Sequence, residues 1–208
     1  MSSTMRSDEN GLMDEGPLSP RDKQLVQESW KFVQKDLVNL GAIMFASLLG
    51  KNPSLQKLFS FGKLNLPPEK LKQNKDLREH GKGVMETIGT LVADLDELGK
   101  VVPIMKDLGA RHKIYGAKPE HFSAVAEAFL YSLKTGLSPK VFTPEVQKAW
   151  RNILKVVEET MSSTMRSDEN GLMDEGPLSP REKQLVQESW KFVQKDLVNL
   201  GAIMFASL

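Results

Sequence analysis

The sequence predicts an all-α protein, on three observations. Apolar residues recur three and four apart over long stretches, the period of one helix face. The eleven prolines fall between those stretches or at their starts, where a helix tolerates them. No alternating apolar runs joined by a two-residue turn occur, so no β-hairpin is signalled.

Residues 1–16 are polar and acidic-leaning and read as a tail. Ser19 and Pro20 supply an N-cap and a first helical residue, opening a helix over about 20–36 with Val26, Trp30 and Val33 on one face. A second helix is expected over about 37–50, with Leu37, Leu40, Met44, Phe45 and Leu48 inward, and a short helical turn after Pro53. Residues 61–74 read as a polar connection around Pro67 and Pro68. A long helix follows over about 75–96, where Leu77, His80, Val84, Ile88, Leu91 and Leu95 form one face at spacings of 3, 4, 4, 3 and 4. Pro103 is taken as the start of a helix over about 103–114 that carries Ile104, Leu108 and His112. Helices over about 119–136 and 144–160 start at Pro119 and Pro144, the latter capped by Thr143.

Composition excludes several classes of function. With 28 Lys+Arg against 27 Asp+Glu the net charge is +1, which argues against an electrostatic nucleic-acid binder. The absence of cysteine removes disulfides, thiolate metal sites and cysteine nucleophiles. No run approaches 18 consecutive apolar residues, and the N-terminus has neither an apolar signal core nor Gly at position 2. The expectation is a cytoplasmic protein with no membrane and no nucleic-acid partner. Neither a G-x-x-x-x-G-K-[ST] phosphate loop nor an H-E-x-x-H zinc motif is present, and no enzyme is expected.

Residues 1–48 recur at 161–208, matching at 47 of 48 positions, with Asp22 replaced by Glu182. The chain therefore reads as a tail (1–16), one complete unit (17–160), and a truncated copy of the tail and first two helices (161–208). A fragment of a longer tandem protein, or an imperfectly assembled sequence, is the plain explanation. The sharper one is self-association by a domain swap, with 177–208 competing for the groove of 17–48.

Three histidines occur, and two of them, His80 and His112, lie on the apolar faces of separate helices. A buried imidazole must find a partner. A backbone carbonyl would serve for one such residue. Two facing one core point instead to a metal. Zinc would be under-ligated there, without cysteine or acidic residues on the same faces. Iron in a tetrapyrrole needs only one or two axial ligands, and the Phe, Leu, Val and Ile around these positions could line the flat slot it requires. His121, in a helix's first turn, reads as exposed, with contact to a carboxylate of such a tetrapyrrole as the lesser alternative.

Residues 18–160 resemble the globin family. The resemblance is carried by Trp30, by PSLQKLF with Pro53 six residues before Phe59, by LREHGKGV and LGARH, and by FSAVAEAFLYSL and FTPEVQKAW. Within the family the pattern is most similar to neuroglobin and other nerve-type globins, including the spacing of 32 from His80 to His112. The resemblance implies a globin fold of about eight helices around a pocket for haem b. His112 would be the proximal iron ligand, its other N–H given to a carbonyl near Leu108, and His80 the distal histidine, able to bind iron as a sixth ligand. Phe59 would stack on the porphyrin, and Phe45 and Val84 would line the distal side. Leu108 and Phe122 would line the proximal side, with Leu154 reaching the porphyrin from the last helix. Gly41 and Gly81 match the small residues where two helices cross. Two departures stand out. The cation that nerve-type globins carry just before the Val84 position is Gly83 here, with Lys82 one place earlier, and the cysteine pair of the mammalian proteins is absent. The implied function is reversible binding of dioxygen, and of NO and CO. The alternative is redox or NO-signalling work at the same haem: electron transfer, NO dioxygenation or nitrite reduction. A helical interaction module without cofactor is the third class.

Overall fold

A computed structural model describes residues 18–59 and 66–166. The expected tail, and the repeat beyond residue 166 with its domain swap, lie outside the described residues. Seven α-helices occur among the described residues, where about eight were expected, and no strand: α1 (Pro20–Val33), α2 (Leu37–Lys51), α3 (Pro68–Leu71), α4 (Lys75–Ala93), α5 (Leu98–Ile114), α6 (Pro119–Gly136) and α7 (Pro144–Arg166). Two 3-10 turns, Gln34–Asp36 and Pro53–Leu58, link α1 to α2 and follow α2.

The caps fall where the sequence places them. The Ser19 hydroxyl accepts the Asp22 N–H at 3.1 Å, and Thr143 Oγ1 accepts that of Val146 at 3.3 Å. Asn74 opens α4 by accepting the Leu77 N–H at 2.9 Å. Pro119 and Pro144 are first helical residues, as their lack of an N–H favours.

α2 is the central element, packed against α4, α6 and α3. Its residues Leu40 to Ala46 are all buried, as expected of a helix apolar on every side. Pro20–Lys51 is, by length and composition alone, apolar enough to cross a membrane, yet 56% of its most apolar window is packed inside the fold. α2 crosses α4 at Gly41 and Gly81, so close that a Cβ on Gly41 would lie 2.5 Å from the Gly81 carbonyl carbon. Trp150 of α7 anchors the far side. It packs on Trp30 and Phe129, with ring centres 5.9 and 5.0 Å away, and donates its indole N–H to Ser29 Oγ at 3.0 Å.

Three element boundaries differ from the sequence reading. A short helix, α3, interrupts the polar connection; Pro68 starts it and Leu71 is fully buried beneath it. α5 begins at Leu98, so Pro103 sits inside a helix it was expected to open. Burial of Val101 and Met105, 2% and 1% exposed, holds the additional N-terminal residues despite the missing hydrogen bond. α7 runs six residues past 160 into the start of the repeated stretch. Met161 and Met165 are buried, and Lys113 of α5 donates to the Met165 carbonyl at 3.0 Å. Gly109 makes this crossing possible, because a Cβ there would collide with the Met161 carbonyl.

Candidate functional site

α4 and α5 converge on a cavity of about 350 Å³, walled by α2, α6 and α7 as well. All eight residues singled out in the sequence line it: Phe45 from α2, Phe59 after the second 3-10 turn, His80 and Val84 from α4, Leu108 and His112 from α5, Phe122 from α6 and Leu154 from α7. Helical periodicity explains why. Seven of them lie on the inward faces of their helices, Phe59 follows the 3-10 turn in extended backbone, and the helices are oriented around one core.

His80 is caged by aromatic rings. Phe45 and Phe59 approach it edge-on, with centres 4.8 and 5.4 Å from the imidazole. Loss of solvation in this apolar setting lowers its pKa from 6.5 to about 4, and the His112 imidazole pushes in the same direction. His80 is therefore neutral at physiological pH, and the two imidazoles are within electrostatic reach across the cavity. His112 is also held below its ordinary pKa by burial, opposed by its hydrogen bond to Leu108. Its Nδ1 lies 2.8 Å from the Leu108 carbonyl oxygen, as the sequence reading expected. A carbonyl can only accept, so Nδ1 carries the proton and Nε2 keeps a lone pair. Phe122 packs 5.9 Å from the His112 ring.

These shifts set a pH dependence for the protein without a bound group. The unfolded chain takes up a proton at His80 near 6.5, and the folded one only near 4. Between those values the unfolded state binds more protons, so stability is present above pH 6.5 and falls as pH drops toward 4. The full contribution is roughly 3 kcal/mol. Urea unfolding midpoints at pH 7 and 4.5 should show this loss in the wild type and a smaller one in His80→Phe.

The donor set suits a tetrapyrrole better than a bare ion. Among the described residues no three His, Cys, Asp or Glu side chains gather around one point. Two neutral imidazoles, an apolar wall and a buried slot match a planar group that brings its own equatorial nitrogens.

Other features of the site escaped the sequence reading. The cavity extends past Ile88 and Leu91 to Val101, Met105 and Met161. The Val101 to Met105 spacing of four was the available signal, hidden by reading Pro103 as a helix start. His121 is half-buried and lines the cavity, which corrects the expectation that it is exposed. Its Nδ1 accepts the Lys118 N–H at 3.1 Å at the start of α6. Arg111 and Tyr115 line the cavity as well. Lys82 does not, and instead pairs with Glu86 at 3.1 Å on the exposed side of α4.

Comparison with known proteins agrees with this architecture. Residues 42–161 match the family model described as Globin. The chain is 32% identical to neuroglobin of Tetraodon nigroviridis over 145 residues, 70% of this chain and 91% of that protein. It is 32% identical over 146 residues to neuroglobin of Danio rerio and 30% identical over 145 to that of Chaenocephalus aceratus, with the same shares covered. An all-α fold built around a cavity faced by two histidines, together with relatives of this kind over most of their length, makes the chain a member of the globin family.

Proposed function

We propose that this globin binds haem b between His112 and His80 and reversibly takes up dioxygen, NO and CO. The observation that carries the reading is the pair of neutral imidazoles, from α4 and α5, lining one apolar cavity. Haem supplies the ligand and redox chemistry at its iron. The chain's residues do the rest. His112 presents the Nε2 lone pair, because the Leu108 carbonyl occupies the opposite nitrogen and fixes the ring's orientation. His80, neutral, has one nitrogen able to donate and one able to coordinate. Phe45 and Phe59 exclude water and offer no competing donor, so the distal chemistry rests on His80.

His80 thus has two roles available: a hydrogen-bond donor to a bound gas, or a sixth ligand that a gas must displace. The second lowers observed gas affinity by the fraction of sites left open. Its aromatic cage and depressed pKa favour an imidazole ready to coordinate. The same features support the alternative, a redox or NO-signalling globin working through electron transfer, NO dioxygenation or nitrite reduction, and not as an oxygen carrier. Oxygen equilibrium and autoxidation rates separate the two.

Replacing His80 by Leu tests the sixth-ligand role. The ferrous protein without added gas should change from a six-coordinate to a five-coordinate spectrum, and CO association should speed up by about tenfold or more. Identical spectra in wild type and variant would rule out coordination by His80.

A further inference from the structure

We propose that Trp150 and Trp30 form a two-step electron relay, which carries reducing equivalents from a surface groove between α1 and α4 into the cavity. The inference rests on the haem reading above. It adds a path by which a small reductant in solution can serve a site it cannot enter.

The placement of the two indoles carries the proposal. Trp150 of α7 lines the cavity and is 1% exposed, so an oxidant in bulk water does not reach it. Trp30 of α1 lines a separate groove at the surface, with Gln27, Lys31 and Gln34 on its own helix and Gly89 on α4. The two rings are in contact, with centres 5.9 Å apart. Val92 of α4 lines both the cavity and the groove, so one side chain separates the two spaces there.

The surroundings suit each ring to its step. Trp150 donates its indole N–H to Ser29 Oγ at 3.0 Å, and that hydroxyl donates onward to the Val26 carbonyl at 3.0 Å. The chain of bonds polarises toward the indole and favours its oxidised, positively charged form. Trp30 turns its Nε1 edge to Gly89, where a Cβ would lie only 3.2 Å away. The missing side chain leaves that edge uncovered in the groove.

When bound, haem supplies the reaction with hydrogen peroxide, in which the O–O bond breaks and two electrons and two protons turn the peroxide into two molecules of water. The indoles return those electrons singly. Trp150 gives one electron to the cavity and becomes a radical cation. Trp30 gives its own electron to Trp150, restoring it, and releases its indole proton to water in the groove. An ene-diol of ascorbate's class closes the step. One of its O–H bonds breaks, the hydrogen atom passes to the Trp30 nitrogen, and the ene-diol leaves as a radical. Two passes supply both electrons and both protons.

The test locates the radical. It uses the full-length haem-loaded chain with Trp190→Phe throughout, because the tryptic peptide Gln24–Lys31 recurs unchanged at 184–191. Peroxide is added with a nitroso spin trap, and the trapped residue is found by mass spectrometry. Electron paramagnetic resonance with ring-deuterated tryptophan separates indole from tyrosyl signals, and circular dichroism checks each fold. The parent should carry the label on Trp30, and ascorbate should clear it. Trp150→Phe should lose that label. Trp30→Phe should move the radical to Trp150, where ascorbate clears it more slowly. Equal labelling of Trp30 in Trp150→Phe overturns the relay. So does a parent radical on Tyr115, the tyrosine in the cavity wall, with none on either indole. Should Trp150→Phe not fold, Trp30→Phe decides: no radical on Trp150, or clearance as fast as in the parent, overturns the proposal. These results leave the haem reading intact, whereas failure of the parent to take up haem overturns both.

Discussion

Replacing His112 by Ala should abolish stable haem binding. The side chain combines three features that no other described residue supplies together. It faces the cavity, it is neutral, and its Nδ1 proton is committed to the Leu108 carbonyl at 2.8 Å, leaving Nε2 as the coordinating atom. Loss of a partner one shell further out typically weakens a metal site ten- to a hundredfold, and removal of the ligand itself should exceed about a hundredfold. The measurement is a haem titration of the folded apoprotein, followed at the Soret band. Free imidazole, small enough for the vacated space, should restore part of the band if coordination is what was lost. A normal Soret band in the variant without imidazole would refute the assignment.

Gly41→Ala should be a strongly damaging small change away from the histidines. The added Cβ would sit 2.5 Å from both the carbonyl carbon and oxygen of Gly81. Those are backbone atoms of a helix, so no side chain can swing aside and α2 and α4 must part. Overpacking of this kind costs about 1–3 kcal/mol, which corresponds to a fall in Tm of roughly 2–12 °C for a domain of this size. His80 immediately precedes Gly81, so a shift of α4 carries the imidazole with it and should also change the ferrous spectrum. Gly99→Ala is the matched control. Nothing lies within 4 Å of the Cβ it would add, and replacing a helical glycine there should be neutral or slightly stabilising. Equal melting temperatures for Gly41→Ala and wild type would show that the crossing tolerates separation.

The particular elements show where sequence reading succeeds. His80, Val84, Ile88 and Leu91 declare one face of α4 by spacing alone, and that face is the cavity wall. Ser19, Thr143, Pro119 and Pro144 mark helix starts because their chemistry acts on the neighbouring few residues. α5 shows where it fails. Pro103 is a local signal for a helix start, and burial of Val101 and Met105 against distant elements overrides it. The end of α7 is a similar case. Residues 161–166 read as the beginning of a new unit, yet Met161 and Met165 complete the packing against α5.

The all-α class, the order of the long helices and the two inward histidines were legible in the pattern of residues along the chain. These depend on period, capping and composition, which act over a turn or two of chain. The packed helices add that the eight site residues share one cavity, that Gly41 meets Gly81 backbone to backbone, and that Lys82 stands apart while His121 and Arg111 line the wall. Those facts depend on how helices far apart in the chain are set against each other, and that arrangement is governed by close packing, which no local pattern encodes.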